Sequence, residues 1–396
     1  MVKIKGITEM DDTKERKVEH EGMGNENKEG MDRVNAKNDI SSIIDSYFNN
    51  KRKGIRLFNY VTGIYPRSST LIAATRKLAM DDPKLRELFI RGKRSWINAQ
   101  KRVGLSYIAD PMLNWDDIFR PFSEVNGIEL GALNRFFETN TFYRRLIIKD
   151  ELKGYGNVVV KHLALDLIDE PSGNNNRRSN NNGNRKGVIK YKKVACIPDP
   201  YTFSYMNENR YYKSDEDYIL AVADMLNAEA RALDDNGIDI IHMNAPAIAY
   251  NVSNDIYVDL SLVKQAVEKV KSNVKSKVYL YLYFGNVSNI FDKLLDIKVD
   301  GIGIDVTSTK ITSVMDYSID KDLVIGIVDS MNTKLEDVRS TASALDFILN
   351  KIDAKSIVLT VSNSLEFLPY RFAMKKLSIL DKITRLLKAK QDGIII

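Results

Sequence analysis

Eight short runs along the chain are apolar on successive residues, and they recur at intervals suited to a strand followed by a return connection. They lie at Arg56–Tyr60, Ser106–Ala109, Lys190–Ile197 and Ile238–Met243, then at Lys277–Tyr283, Gly301–Ile304, Leu323–Val328 and Ser356–Val361. Unbroken apolar runs, as opposed to strict alternation, are expected where both faces of a strand are covered, as in parallel sheets. From the fourth run onward each is followed by a helical pattern, such as Leu260–Ser272 or Leu335–Asn350. Residues 214–236 open with Ser214-x-x-Asp217, a helix-capping pattern, and lead into the fourth run. The spacing predicts an α/β fold, a (β/α)8 TIM barrel, in preference to an open doubly wound sheet. A G-x-G-x-x-G fingerprint is missing after the first strand, which argues against a dinucleotide fold.

Three segments stand outside this pattern. Residues 1–38 are rich in Glu, Lys, Asn, Asp and Gly, with Met10, Met23 and Met31 but no apolar period, and read as a mobile tail. Residues 39–50, DISSIIDSYFNN, suit a short amphipathic helix at the start of a single barrel spanning 39–396. Residues 172–187, SGNNNRRSNNNGNRKG, read as a low-complexity, solvated insertion loop.

Binding groups gather at the carboxyl ends of parallel strands. The strongest such cluster follows the second run, where Asp110, Trp115, Asp116, Asp117, Arg120 and Pro121 precede an aromatic run from Phe136 to Tyr143. Two readings stand for each residue, a ligand-binding rim or packing and helix caps, and the cluster as a whole favours a site. For Asp116 and Asp117 the alternatives are acid/base chemistry or caps with a salt bridge to Arg120. His242, Asp305 and Asp199 could form a carboxylate–imidazole metal site, although a satisfied core histidine is the commoner outcome.

Composition narrows the function. With 44% hydrophobic and 28% charged residues in 396, a large core is available. Fifty-nine basic against 53 acidic residues leave a net charge of +6, compatible with anionic ligands but short of a nucleic-acid-binding signature. Cys196 is the single cysteine, so a disulfide framework and a multi-cysteine metal site are excluded. No apolar run approaches the roughly 18 residues of a membrane span, and the expectation is a soluble, cytoplasmic protein with neither membrane nor nucleic-acid partners.

Five segments carry a resemblance. GIYPRS at 63–68, WDDIFRP at 115–121, NRFFETN at 134–140, IPDPYTF at 197–203 and Asp329-x-x-Asn332-Thr-Lys-x-Glu336 resemble the cobalamin-independent methionine synthase family, from about residue 57 to the end. That family transfers a methyl group from methyltetrahydrofolate, or a related pterin, to homocysteine. Its full-length members contain two homologous barrels, of which the C-terminal one holds a thiolate-activating zinc. Carried over one position at a time, the family's zinc ligands fall here on Tyr281, Tyr283, Asp305 and Ser364, and the two acids that hold its amino acid substrate are replaced at Asn244 and its neighbour. The resemblance therefore implies the zinc-free, N-terminal-type barrel. Arg67 becomes the best anion contact for a folate tail, with Asp110, Trp115, Asp116, Asp117, Arg120, Asn244, Asp305 and Asp329 as further binding candidates.

Three functions follow from this. The chain is the half of a split methionine synthase that binds the donor or docks on a separate zinc-bearing barrel. Alternatively it is a stand-alone, zinc-independent methyltransferase for another acceptor, or a purely structural or regulatory subunit. Neither a bound cofactor nor zinc is expected, and methyltetrahydrofolate or a related pterin is the small-molecule donor implied.

Overall fold

The computed structural model describes residues 55–171 and 190–394. The tail, the 39–50 helix and the 172–187 loop lie outside the described residues. Eleven strands follow in chain order: β1 (Leu57–Asn59), β2 (Ile108–Ala109), β3 (Ile128–Arg135), β4 (Phe142–Ile148), β5 (Lys193–Pro198) and β6 (Glu208–Asn209), then β7 (Ile240–Asn244), β8 (Lys277–Leu282), β9 (Gly301–Asp305), β10 (Ser318–Val328) and β11 (Asp353–Val361). Eight of them form one parallel sheet in the order β1-β11-β10-β9-β8-β7-β5-β2. All eight expected strands are present, within a few residues of their predicted bounds.

The two ends of that order meet. Ser106 and Tyr107 donate backbone N–H bonds of 3.0 and 3.3 Å to the Asn59 carbonyl. The Asn59 side-chain oxygen also accepts from the Ser106 amide at 2.9 Å. This seam closes the sheet into the (β/α)8 barrel. It also explains why β2 is shorter than expected, because Ser106 and Tyr107 bond across the seam and not along a ladder.

Strands β5, β7 and β9 are buried at every position, as their unbroken apolar runs require. Outside the barrel, Val, Leu and Ile side chains pack against the helices. The lumen cluster combines Val194, Ile240, Val324 and Val358 with five tyrosines: Tyr60, Tyr107, Tyr279, Tyr281 and Tyr283. Each buried hydroxyl needs a partner or a large penalty follows. Tyr60 meets His242 Nδ1 at 2.7 Å, Tyr279 donates to Asp322 at 2.7 Å, and Tyr281 donates to the carbonyls of Val361 and Ser362 at 2.9 and 3.0 Å. Such wide rings fit because glycine stands opposite. A Cβ on Gly303 would lie 2.3 Å from the Tyr281 ring, and one on Gly326 would lie 1.9 Å from its hydroxyl.

Helices surround the sheet where the caps predict them. Asp215–Asp235 begins after Ser214, whose hydroxyl accepts from the Asp217 amide, and Leu260–Lys271 and Val338–Leu349 match the other two patterns. The expectation of a helix after every strand from the fourth onward fails after β9. Only a 3-10 turn, Ile311–Val314, fits between β9 and β10, because the connection is too short for a full return helix. One long helix escaped the pattern: Pro83–Val103 runs from an Asp82 cap to Gly104, whose φ of 90° ends it. The helix expected after the last strand is present as Tyr370–Gln391. A second sheet, β3-β4-β6, was also unforeseen; the expected aromatic run is its turn and the start of β4. Among the described residues no helix is long and apolar enough to cross a membrane.

Candidate functional site

The carboxyl ends of the barrel strands surround a central chamber of about 20 Å³, lined among others by Thr62, His242, Asn244, Tyr281, Tyr283, Asn363 and Glu366. That volume holds about one water molecule. Aromatic rings close it from above. Phe136, at the hairpin turn, packs edge-on against Phe284 at 6.2 Å, and Phe284 packs against Phe367 at 6.1 Å. Phe137 and Phe284 hold φ values of 48° and 70°, in the left-handed region that bulky residues rarely adopt. The strain falls at the mouth of the barrel, where their rings meet at 5.5 Å.

Beside the chamber lies a larger cleft of about 500 Å³, between the loops that follow β1, β2 and β11. Tyr65, Trp115 and Tyr370 contribute aromatic surface, and Arg67, Asp116 and Glu366 contribute charge. Glu366 belongs to both spaces. Burial pushes its carboxyl up to about 8, and the nearby Asp117 carboxylate pushes the same way, against weaker opposing effects of the Ser364 hydroxyl and Arg67.

The predicted cluster after β2 divides between this cleft and the framework. Arg67 reaches the Leu113 carbonyl at 2.7 Å, the Trp115 carbonyl at 3.0 Å and Asp116 at 3.0 Å, so it ties the β1 loop to the β2 loop. Arg120 bonds Asp116 and Asp117, both at 2.9 Å, and Asp117 accepts the amides of Phe119 and Arg144. The salt bridges to Arg120 are present for both acids, but neither caps a helix, because residues 115–119 form a turn and the 3-10 helix that follows has no side-chain cap. Burial raises the Asp117 carboxyl despite Arg120. Trp115 is buried in the cleft wall, and its indole N–H has no protein partner.

Asp110 has a different role. Its carboxylate meets Lys93 Nζ at 3.0 Å and the amides of Met112 and Ala164, each at 2.7 Å. Both oxygens of that carboxylate are bonded to the framework, and it lines neither space. Asp329 accepts the Met331 amide and the Asn332 side chain, and its carbonyl accepts from Lys376, which also meets Glu336 at 2.8 Å. The motif 329–336 thus anchors the loop after β10.

The four positions that the resemblance assigns to zinc are also engaged. Tyr281 donates to two carbonyls, and burial raises its hydroxyl far above the ordinary tyrosine range. Tyr283, likewise raised by burial, lines the chamber. Asp305 accepts the Thr307 amide and the hydroxyls of Thr307 and Ser308; burial pushes it up to about 6 against these bonds. Ser364 donates to the Ile64 carbonyl at 2.6 Å.

The considered metal site of His242, Asp305 and Asp199 does not assemble. Among the described residues no three His, Cys, Asp or Glu side chains come together in a form that could hold a metal. His242 bonds Tyr60, and burial drives it down to about 3 despite the Asn244 side chain. Asp199 caps Pro200–Met206 through the amides of Tyr201 and Thr202, and burial pushes it up to about 7 against those bonds. Asn244 lines the chamber beside His242.

Glu366 and Asn363 escaped sequence reading. No spacing singles out one acid in a loop, although its position five residues past the last strand was the available signal. The Asn363 amide nitrogen is buried without a partner at the chamber wall.

Comparison with known proteins agrees with this architecture. The chain is 25% identical over 327 residues to a methionine synthase of Sulfolobus acidocaldarius, covering 80% of this chain and 88% of that one. It is 24% identical to a methionine synthase of Sulfurisphaera tokodaii, covering 83% and 91%. In fold it is similar to a B12-independent methionine synthase from Shewanella sp. W3-18-1, solved in complex with selenomethionine, with a TM-score of 0.67 and 15% identity over 86% of this chain and all of that one. A methyltransferase from Methanosarcina mazei superposes with a TM-score of 0.52 and 13% identity, covering 85% and 94%. The family model described as cobalamin-independent synthase, N-terminal domain, matches residues 148–353, just over half of the chain, and the protein belongs to that family.

Proposed function

We propose that this chain is the zinc-free member of a methionine synthase system, a barrel that works beside a separate zinc-bearing barrel. The observation that supports this most is Tyr281. At a position where the resemblance requires a zinc ligand, its hydroxyl keeps its proton and donates it to the carbonyls of Val361 and Ser362. Tyr283 is a second neutral phenol, Asp305 is satisfied by its own loop, and Ser364 is a hydroxyl bonded to Ile64. These residues do not fit a zinc ion. A thiol acceptor is mostly protonated at neutral pH, and without a metal or a nearby base nothing here activates it.

The size of the central chamber supports the same reading. Room for about one water excludes an amino acid substrate while the aromatic closure stands. Arg67 is a weaker anion site than its sequence context implies, because a carboxylate and two carbonyls already engage it. Docking on a catalytic barrel therefore has more support than capture of a folate tail.

Calorimetric titration with methyltetrahydrofolate, its polyglutamate and homocysteine, with metal content measured on the same sample, tests this function. The expected result is absence of stoichiometric zinc and of homocysteine binding, with complex formation when a zinc-bearing barrel of the same family is added. Bound zinc together with homocysteine affinity would refute it and mark a complete enzyme.

A further inference from the structure

We propose that the cleft beside the barrel mouth is a binding site for a small organic cation, a protonated amine or amidine carried on an apolar or aromatic body. This goes beyond the companion role and does not depend on it.

The inference begins with the charges of the cleft wall. Three ionisable groups of opposite sign line it: Arg67, Asp116 and Glu366. Arg67 and Asp116 close on each other at 3.0 Å, and the second Asp116 oxygen takes Arg120 at 2.9 Å. Glu366 is left over. The Ser364 hydroxyl stands beside it but donates to the Ile64 carbonyl, and no lysine or arginine stands within ion-pair distance among the described residues. A largely enclosed carboxyl without a cation is costly to ionise. An incoming ammonium or amidinium supplies the missing partner through charge-assisted hydrogen bonds.

The walls suit such a ligand. Tyr65, Trp115 and Tyr370 place aromatic residues in its lining, a residue type that attracts cations, and Ile72 and Leu368 supply apolar surface for the ligand's body. At about 500 Å³ the cleft falls within the range of small-molecule pockets. An anionic ligand meets the opposite situation, with a carboxyl at the base and an arginine already spent on Asp116.

Benzamidine and benzoate, a cation and an anion of the same shape, test the assignment on the full chain by calorimetry at alkaline pH and low salt. Benzamidine is expected to bind about tenfold more tightly than benzoate, or better. Glu366→Gln should lose about that factor for benzamidine without lowering the thermal midpoint by more than a few degrees. Benzoate binding as tightly as benzamidine, no binding of either, or an undiminished Glu366→Gln would each overturn the proposal. Should Glu366→Gln not fold, a crystal of the parent protein soaked in benzamidine decides. An amidinium against Glu366 supports the site, and benzamidine elsewhere or nowhere removes it.

Discussion

Replacing Gly326 by alanine tests how the lumen is built. A Cβ there would lie 1.9 Å from the Tyr281 hydroxyl, 2.9 Å from the Val361 carbonyl and 3.0 Å from the Ser362 Cα, two of them backbone atoms. Tyr281 cannot swing aside, because its ring already lies where a Cβ on Gly303 would be 2.3 Å away. Overpacking of this kind costs about 1–3 kcal/mol. Displacing the hydroxyl also breaks its two bonds to carbonyls, worth about 1 kcal/mol each. The sum is on the order of 4 kcal/mol, a large part of the ordinary stability of a domain. The assay is thermal unfolding followed by circular dichroism, with an expected fall in midpoint of several degrees. Tyr281→Phe removes the atom that clashes, so Gly326→Ala/Tyr281→Phe should be about 2 kcal/mol more stable than the sum of the single changes predicts. Additive effects, or a silent Gly326→Ala, would refute the account of Tyr281 as a ring fixed between glycine and carbonyls.

Three further outcomes follow from buried charge. Asp110→Ala strands Lys93 without its counter-ion and should cost about 3–5 kcal/mol, with much of the loss recovered by Asp110→Ala/Lys93→Met; equal instability of the single and double variants in urea unfolding would contradict this. His242 is held neutral down to about 3, whereas an unfolded histidine takes a proton near 6.5. The unfolded state therefore binds more protons between those values, and stability is lost as pH falls from 6.5 toward 3. His242→Gln should flatten that part of a stability-versus-pH curve.

Glu366 acts in the opposite direction. Its folded value near 8 exceeds an ordinary 4.5, so the folded state binds the extra proton and stability declines as pH rises from about 4.5 to 8. Contact with solvent in the cleft limits this decline to about 2–5 kcal/mol, and Glu366→Gln should abolish it. The groups facing this carboxyl are Asp117 and Arg67 from the β2 and β1 loops, Ser364 on its own loop, Tyr283 after β8 and Cys196 on β5. Over the same range benzamidine affinity should climb with pH and level off above 8; a flat profile would show that Glu366 is not the group engaged.

The barrel strands were legible because burial on both faces leaves unbroken apolar runs such as Leu323–Val328. The β3–β4 hairpin was not, because Leu130, Leu133 and Phe142 are exposed and disrupt the alternation a half-buried strand should show. Asp110 looked like a site residue because it ends a strand. Its partner Lys93 arrives from a helix that the pattern did not reveal, and a carboxylate satisfied at a distance looks the same in sequence as a free one. The zinc positions were legible as side-chain types, but that Tyr281 is fixed by two carbonyls depends on β8 and β11 facing each other across the lumen. Glu366 became visible only once three loops enclosed it.

The seam between β1 and β2 has one more consequence. β1 pairs with β11 over three residues and β2 with β5 over two, whereas β10 and β11 run together for most of their length. Two of the cleft's three walls are loops that hang from these shortest strands. They are laced above the seam by Arg67 and by the bond from Tyr65 to the Pro111 carbonyl. The barrel is thus a hoop with its buckle beside the cleft. A molecule lodged there spans the buckle and acts as a cross-brace, so amide exchange at Asn59, Ser106 and Tyr107 should slow when the cleft is filled, far more than exchange on the opposite side of the hoop.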